Sequence, residues 1–226
     1  MADFPATTWG MLRGFQDADV ATRKDAMEKL CRRYWRPIHD YARAAWARDD
    51  EDASDLTQDF FLWLFGGTAV DGYVADRGAF RHYLKGLLRN FGRRRGRDLR
   101  RKKRGGGRAA VPLDDAIPEA TEPEEALDRA WRKEIMIRAV ERLRARHAEE
   151  APLRWKIFEE YDLRPEGAPE LTYAQVAERL GVKENDVRNH LHALRAKLRE
   201  AMRAEVRETV ATEEDLEEEW RALVGA

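Results

Sequence analysis

The sequence of 226 residues contains a single cysteine, Cys31, so an intrachain disulfide is excluded. A lone thiol is typical of proteins that stay in a reducing compartment, and we therefore expect a cytoplasmic location. Long apolar runs are also missing. The first residues, MADFPATTWGMLRGF, lack the apolar core of a secretory signal, and no stretch approaches the roughly 20 apolar residues of a membrane-spanning helix. The sequence predicts no membrane segment.

Strand signals are nearly absent too, because no segment alternates polar and apolar residues between turns. Apolar residues recur instead at intervals of three and four, as in Met27, Leu30, Tyr34 and Ile38. This spacing predicts an all-α fold class, with two helical domains joined by a flexible linker.

Three consecutive glycines at Gly105–Gly107, followed by several prolines and acidic residues, mark the linker, since such a composition cannot bury a core. The expected segments are an N-terminal extension at 1–20, a first helical domain at 21–104, the linker at 105–125, a second helical domain at 126–205 and an acidic tail at 206–226.

The sequence has almost equal numbers of basic and acidic residues, 42 and 43, so its formal net charge is only −1. The charges are segregated along the chain. From Arg81 to Arg108 there are thirteen Lys and Arg residues against one acid, Asp98. Such a run is typical of a nucleic-acid surface, and a localisation signal has the same composition.

The C-terminal segment Glu205–Ala226 has the opposite composition, with eight acids against two bases. Leu216, Trp220 and Leu223 are spaced as on one face of a helix. Two interpretations stay open. The tail folds back on a basic DNA-binding face or contacts a partner as a built-in regulator, or it is a frayed acidic end that aids solubility.

The stretch TYAQVAERLGVKENDVRNHLHALRAKL predicts a helix-turn-helix. Thr172 can cap the first helix, and Gly181 supplies the turn, where a positive φ is cheap for glycine. The second helix has an inner apolar stripe and an outer polar face, the arrangement with which such a helix enters the DNA major groove. An ordinary helical hairpin is the alternative.

A second informative stretch is DLTQDFFLWLF, in which Asp55, Gln58 and Asp59 share one helical face. This polar face fits a basic partner. Phe60, Trp63 and Leu64 would face the core, so that Phe61 or Phe65 is left as an exposed anchor for a partner. The spacing of the acids before it does not match a calcium loop.

These motifs, in this order, resemble bacterial sigma factors of the extracytoplasmic-function type, within the sigma-70 class. The resemblance covers about 21–104 and 126–203. It implies that the first domain binds core RNA polymerase and opens the −10 promoter element, and that the second reads the −35 element. In the first domain, 67–78 would capture an extruded base, and Arg94 to Arg104 would continue onto phosphates.

The resemblance, with the residue chemistry, assigns three sets of site residues. The polymerase-binding set is Asp55, Leu56, Gln58, Asp59 and Phe61. The −10 set is Arg81, His82, Tyr83, Lys85, Arg89, Asn90, Arg93 and Arg94. The −35 set is Thr172, Tyr173, Lys183, Asn185, Arg188, Asn189, His192 and Arg195. Two departures stand out: Tyr83 lies where the family often has tryptophan, and VKENDVRN lacks the usual Ser or Thr.

The expected function is therefore a sigma factor, not an enzyme, with no catalytic residues, cofactor or metal. Its expected partners are core RNA polymerase and promoter DNA, as a duplex −35 and a single-stranded −10 element; an anti-sigma factor stays open. One alternative is a free-standing helix-turn-helix transcription regulator that binds duplex DNA without polymerase. A second is a hydrolase or nuclease that uses acids of Asp49 to Asp59 with a metal.

Overall fold

The fold is described from a computed structural model, which describes residues 20–47, 49–66, 69, 79–105, 121–165, 167–210 and 212–225. Within these ranges every regular element is helical, which confirms the all-α fold class. The N-terminal extension up to residue 19, the loop at 67–78 apart from Ala69, and linker residues 106–120 lie outside the described part. No helix in the described ranges combines the length and apolarity needed to cross a lipid bilayer.

The described residues form these helices: α1 (Val20–Ala45), α2 (Asp50–Gly66), α3 (Phe80–Gly105), α4 (Thr121–His147), α5 (Pro152–Tyr161), α6 (Tyr173–Leu180), α7 (Glu184–Arg207) and α8 (Glu213–Val224). The helices predicted from periodicity in the first half of the chain correspond to α1, α2 and α3. Pro37 lies inside α1.

The chain divides into two compact units. Unit 1 contains Met1–Glu134 and Val206–Ala226, and unit 2 contains Ile135–Glu205. These limits differ from the expected segments at two places, since residues 126–134 and the acidic tail both group with unit 1. The physical reason is packing: Leu127 and Trp131 of α4 and Leu216 of α8 are fully buried.

The core of unit 1 is rich in large apolar side chains from α1, α2 and α3. Those that are almost completely buried include Leu30, Tyr34, Ile38, Leu56, Phe60, Leu64, Phe80, Leu84 and Leu88. Ring pairs connect the helices. Phe60 meets Phe91 edge to face at 5.5 Å between ring centroids, and Tyr34 meets Phe80 at 5.4 Å. Each such side chain contributes about 1.5–3 kcal/mol through burial, which fixes α3 against α1 and α2.

Unit 2 has its own core, formed where α5 and α6 pack beside α7. Its buried residues are Leu143, Trp155, Ile157, Phe158, Val176, Ala177, Val187, Leu191 and Leu194. Val176 and Ala177 face inward from α6, and Val187, Leu191 and Leu194 form the inner stripe of α7. Both stripes were predicted from the sequence. Because they turn inward, the opposite face of α7 is left to solvent.

Gly92 is required by the approach of the Trp46 indole to α3. A Cβ atom built at residue 92 would lie 2.7 Å from Trp46 Cζ2. We expect Gly92→Ala to lower the free energy of unfolding by about 1–2 kcal/mol, since the cost of overpacking exceeds the gain in helix propensity.

The matched control is Gly86→Ala on the same helix, where a new Cβ meets nothing within 4 Å. We expect this variant to gain about 0.5–1 kcal/mol from helix propensity alone. Urea denaturation of both variants measures the difference. Equal stabilisation by the two alanines would show that Trp46 does not restrict α3.

Candidate nucleic-acid interface

The helix-turn-helix of unit 2 is held by local hydrogen bonds at both ends of α6. The Gln175 backbone N–H donates to Thr172 Oγ1 at 3.2 Å, and the Thr172 N–H donates to Gln175 Oε1 at 2.8 Å. This reciprocal capping box satisfies two donors that a helix start leaves unpaired. Gly181 ends α6 with φ of 65°, in the left-handed region. The predicted cap and turn glycine are both confirmed.

The helix-turn-helix presents most of the predicted −35 residues on its outer side. Most of this set is exposed, namely Thr172, Lys183, Asn185, Arg188, Asn189 and His192, while Tyr173 and Arg195 are half-buried. Arginine and asparagine side chains on one exposed helical face are the groups that form paired hydrogen bonds with guanine and adenine edges. The face is therefore chemically able to contact a DNA major groove.

Two arginines on this face are held in place by aromatic rings and acids. Arg195 makes a two-point contact with Asp162, at 2.9 Å from Nε and 2.7 Å from Nη2, and its guanidinium lies 5.5 Å from the centre of the Tyr161 ring. The hydrogen bonds to Asp162 raise the pKa of Arg195, although partial burial opposes the shift. Arg188 lies 6.0 Å from the centre of the Tyr173 ring. These contacts orient the guanidinium groups before any ligand arrives.

A hollow of about 250 Å³ lies along the same face of α7. Its lining residues are Tyr173, Arg188, His192, Arg195, Ala196 and Arg199. Three guanidinium groups around one hollow make it suited to an anionic group such as phosphate. Arg199 was not among the residues predicted from the sequence, although its position eleven residues after Arg188 on α7 places it on the same face, as the helical period allows.

In unit 1, the part of the basic α3 that follows Arg89 has several exposed polar side chains. Asn90, Arg93, Arg94 and Arg97 are exposed. Among the described residues, Arg93 and Arg94 take part in no ion pair that would neutralise them. The side chains of residues 98–105 are outside the described part. This exposed end of α3 keeps the cationic surface that the −10 prediction requires.

The first three turns of α3 are different, because their basic side chains are paired within unit 1. Lys85 Nζ lies 2.8 Å from Asp128 Oδ2, and Arg89 Nε lies 3.0 Å from Glu124 Oε1. Arg81 is buried, with 5% of its surface exposed. Its assignment to direct DNA contact is therefore wrong for this arrangement, because intramolecular carboxylates already occupy the guanidinium.

The Arg81 guanidinium has partners on two other helices. From α8, Glu219 accepts from Arg81 Nε at 2.9 Å and from Nη2 at 2.8 Å. From α4, Asp128 accepts from Arg81 Nη1, and the Trp131 ring lies beneath the guanidinium at 4.6 Å. Burial alone would lower the pKa of Arg81, but the hydrogen bonds and charges of Glu219 and Asp128 raise it above its ordinary value.

The remaining members of the −10 set have mixed surroundings. His82 is exposed, and its Nε2 lies 3.6 Å from Glu219 Oε1. Tyr83 is half-buried, and its hydroxyl donates to the Ala69 carbonyl at 2.6 Å. This contact fixes the tyrosine ring at the position where the resembling family often carries tryptophan.

The acidic tail is an ordered part of unit 1. Thr212 caps α8 by accepting from the Asp215 N–H at 3.1 Å, and Leu216 and Glu219 are buried. The turn before α8 is also tied down, because Arg33 of α1 donates to Glu208 at 2.7 Å. The predicted amphipathic helix is confirmed. The alternative of a frayed end is wrong, since α8 packs through Leu216 and Glu219.

On α2, the predicted polymerase-binding face is exposed at Asp55, Gln58 and Asp59. Asp59 accepts from Arg95 at 3.1 Å. Two members of the predicted set are not accessible, because Leu56 and Phe61 are buried in the core.

The exposed apolar residue of α2 is instead Leu62, with 65% of its surface in solvent. It follows Asp55 and Asp59 along the helical spacing, so that acids and an apolar side chain form one strip. Phe61 turns inward and stacks on Trp35 of α1, at 5.8 Å between ring centroids. The sequence pattern does not distinguish neighbouring apolar positions. It therefore predicts Phe61 as the exposed anchor, one residue before Leu62, which is the exposed one.

Among the acids from Asp49 to Asp59, Asp49 has a local structural role. Asp49 Oδ1 accepts from the Asp52 N–H at 2.8 Å, as a cap of α2. Across the described residues, no group of three or more His, Cys, Asp or Glu side chains is arranged to hold a metal ion. Cys31 is a half-buried thiol, and burial together with the charge of Glu28 raises its pKa.

We compared the chain with known proteins. No protein-family model, curated protein or solved structure matches it.

Proposed function

We propose that this protein is a sigma factor that binds core RNA polymerase and directs promoter recognition, strand opening and transcription initiation. The observation that carries the proposal is the outer face of α7, the second helix of a capped helix-turn-helix, where Arg188, His192, Arg195 and Arg199 line an anion-sized hollow. The polymerase would supply the chemistry, so the chain itself needs no catalytic group or cofactor. It would act in the cytoplasm, where transcription takes place.

Unit 2 is proposed to read the duplex −35 element. Arg188 and Asn189 lie near the start of α7, the part of a recognition helix that reaches base edges. Arg195 and Arg199 lie further along the helix, where phosphate contacts set the register of the protein on the duplex. The two groups of residues have different expected effects on specificity and on salt dependence.

Unit 1 is proposed to supply the other two activities. The strip of Asp55, Asp59 and Leu62 on α2 offers acids beside an apolar anchor, which fits a polymerase surface with basic and apolar groups. The exposed basic end of α3 around Arg93 and Arg94 is suited to the backbone of single-stranded −10 DNA.

A free-standing transcription regulator is the second candidate, and one observation favours it. The first basic residues of α3, Arg81, Lys85 and Arg89, are paired with acids of the same unit. A regulator that binds duplex DNA through unit 2 would not need these groups for strand opening.

Run-off transcription with purified core polymerase over a library of promoter fragments separates the two candidates. The proposal expects discrete start sites that share two upstream motifs, together with co-elution of the chain with core polymerase. Binding to duplex DNA without co-elution or transcripts would favour the free-standing regulator.

Arg188→Ala tests the recognition face of α7. We expect the substitution to weaken binding to the selected −35 duplex by about 1–3 kcal/mol, or roughly 5–150-fold, if Arg188 contacts a base. Arg188→Lys keeps the charge but not the paired hydrogen bonds, so it should recover little of the loss. Fluorescence anisotropy with the selected duplex and with mismatched duplexes measures both effects.

Arg146→Ala is the charge-matched control, since Arg146 is an exposed arginine of α4 within unit 2. We expect it to leave sequence preference unchanged. A uniform loss of affinity for all sequences in Arg188→Ala, with full rescue by lysine, would assign Arg188 to a phosphate contact and contradict base reading.

Leu62→Ser tests the strip on α2. Burying an exposed leucine in an interface contributes about 1.5–3 kcal/mol, so we expect the dissociation constant for core polymerase to rise about 10-fold or more. Leu153→Ser is the control, because Leu153 is also an exposed leucine, with 45% of its surface in solvent, and lies in unit 2. Biolayer interferometry on immobilised polymerase measures both; equal affinities would remove Leu62 from the interface.

A further inference from the structure

The first turns of α3 and the acidic α8 form a cluster in which opposite charges balance. Arg81 and Lys85 contribute two positive charges, and Glu219 and Asp128 contribute two negative ones. These four groups therefore offer no net attraction to a phosphate backbone. Without Glu219 the same cluster would have one excess positive charge, next to the exposed Arg93 and Arg94.

The sequence of α8 makes the docked helix a barrier to nucleic acid. Glu213–Val224 contains six acids against one base, Arg221. Glu217 and Glu218 are exposed while Glu219 contacts Arg81. These carboxylates make the exposed surface of the docked helix negative, and a DNA backbone that approaches it is repelled.

Glu219 also occupies Arg81 in the way that a phosphate would. Its two oxygens accept from Nε and Nη2 of Arg81 at 2.9 and 2.8 Å. The same edge of a guanidinium binds phosphate through two parallel hydrogen bonds. A carboxylate and a DNA phosphate therefore compete for one edge of one side chain.

The attachment of α8 is suited to release. Leu216 is the fully buried apolar side chain of this helix, and the other buried side chains are Asp215 and Glu219. Asp215 belongs to the cap, since Thr212 Oγ1 donates to its carboxylate at 2.7 Å. Trp220 and Leu223 are half-buried as well. A helix of 12 residues with one fully buried apolar side chain opens locally more easily than a helix of the core.

We propose that α8 is an intramolecular cover for the single-stranded DNA-binding face of α3, with Glu219 as the competitor for phosphate at Arg81. In the covered state, nucleic acid reaches only the exposed end of α3. Release of α8 frees the edge of Arg81 that Glu219 occupies, and the remaining cluster of Arg81, Lys85 and Asp128 gains one net positive charge. This inference rests on the proposed function, because it assigns a regulatory element to the same DNA-binding surface.

Full-length Glu219→Lys and Glu218→Lys test the cover. Both substitutions change the net charge by the same amount on adjacent residues of α8, but only residue 219 faces Arg81. The probe is a fluorescein-labelled single-stranded DNA of mixed sequence, about 15 nucleotides long, followed by anisotropy at low and moderate salt. We expect Glu219→Lys to bind at least 10-fold more tightly than Glu218→Lys, and Glu219→Gln to show a smaller gain over Glu218→Gln.

Hydrogen exchange of the same proteins supplies a structural measurement. We expect faster exchange in α8 of Glu219→Lys while α1, α2 and the start of α3 stay protected. We also expect DNA to accelerate exchange in α8 of the unsubstituted protein. Equal DNA affinity of the 219 and 218 variants would overturn the cover. Loss of protection throughout unit 1 with the milder Glu219→Gln would also overturn it, because α8 would then be an integral part of the core.

Capture by core polymerase separates this inference from the proposed function, because it depends on α2 and not on α8. If the chain directs transcription but the 219 and 218 variants bind DNA equally, the function stands and the cover fails. If Glu219→Lys gains DNA affinity but no variant binds polymerase, the cover stands and the sigma-factor proposal fails. If no variant binds the DNA probe even at low salt, both are wrong.

Discussion

The buried guanidinium of Arg81 is the interaction on which the arrangement of unit 1 depends. Removing an arginine and a carboxylate from water costs several kcal/mol per ion, and the cost is recovered only when geometry and hydrogen bonding are nearly complete. Here Glu219 accepts two hydrogen bonds, Asp128 accepts another, and Trp131 covers the face of the guanidinium. Loss of one partner from such a group costs about 3–5 kcal/mol. Consequently the positions of α3, the start of α4 and α8 are coupled at this one guanidinium while α8 is docked.

This constraint divides the basic stripe of α3 into two parts with different chemistry. Arg81, Lys85 and Arg89 have acidic partners from α4 and α8, whereas Arg93 and Arg94 face solvent. The charges of one such pair also act on Tyr41 in the core. Burial and the charge of Glu124 raise the pKa of Tyr41 to about 12, and the charge of Arg89 opposes this shift. A stripe that is continuous in the sequence is therefore structural at its start and available to a ligand at its end.

Features encoded by short stretches could be predicted from the sequence. The Thr172 cap, the Gly181 turn and the apolar stripe of α7 depend on residues a few positions apart, and all appear as expected. The pairing of Arg81 could not be predicted, since Asp128 and Glu219 lie 47 and 138 positions away and periodicity does not show which basic residues are buried. Phe61 was predicted as the accessible residue, but Leu62 is exposed instead, for a similar reason. Neighbouring residues differ by about 100° around a helix, and only packing against Trp35 decides which of them turns inward. Long-range contacts of this kind also explain why residues 126–134 and the acidic tail belong to unit 1, which the sequence did not predict.

Salt acts differently on the exposed basic residues of α3 and on the buried Arg81. The net charge of the whole chain is only −1, so local charges matter more than the total. Contacts of exposed arginines with phosphate weaken steeply as salt rises, because counterions are no longer released to a dilute solution. The Arg81–Glu219 pair is almost completely buried, so mobile ions screen it far less. Under the proposed function, we therefore expect raised salt to weaken DNA binding without detaching α8. Displacement of α8 instead requires a group that binds Arg81 as well as Glu219 does, or a partner that binds α8 itself. In the proposed cover, control of the α3 surface thus depends on specific competition at one guanidinium rather than on the overall charge of the chain.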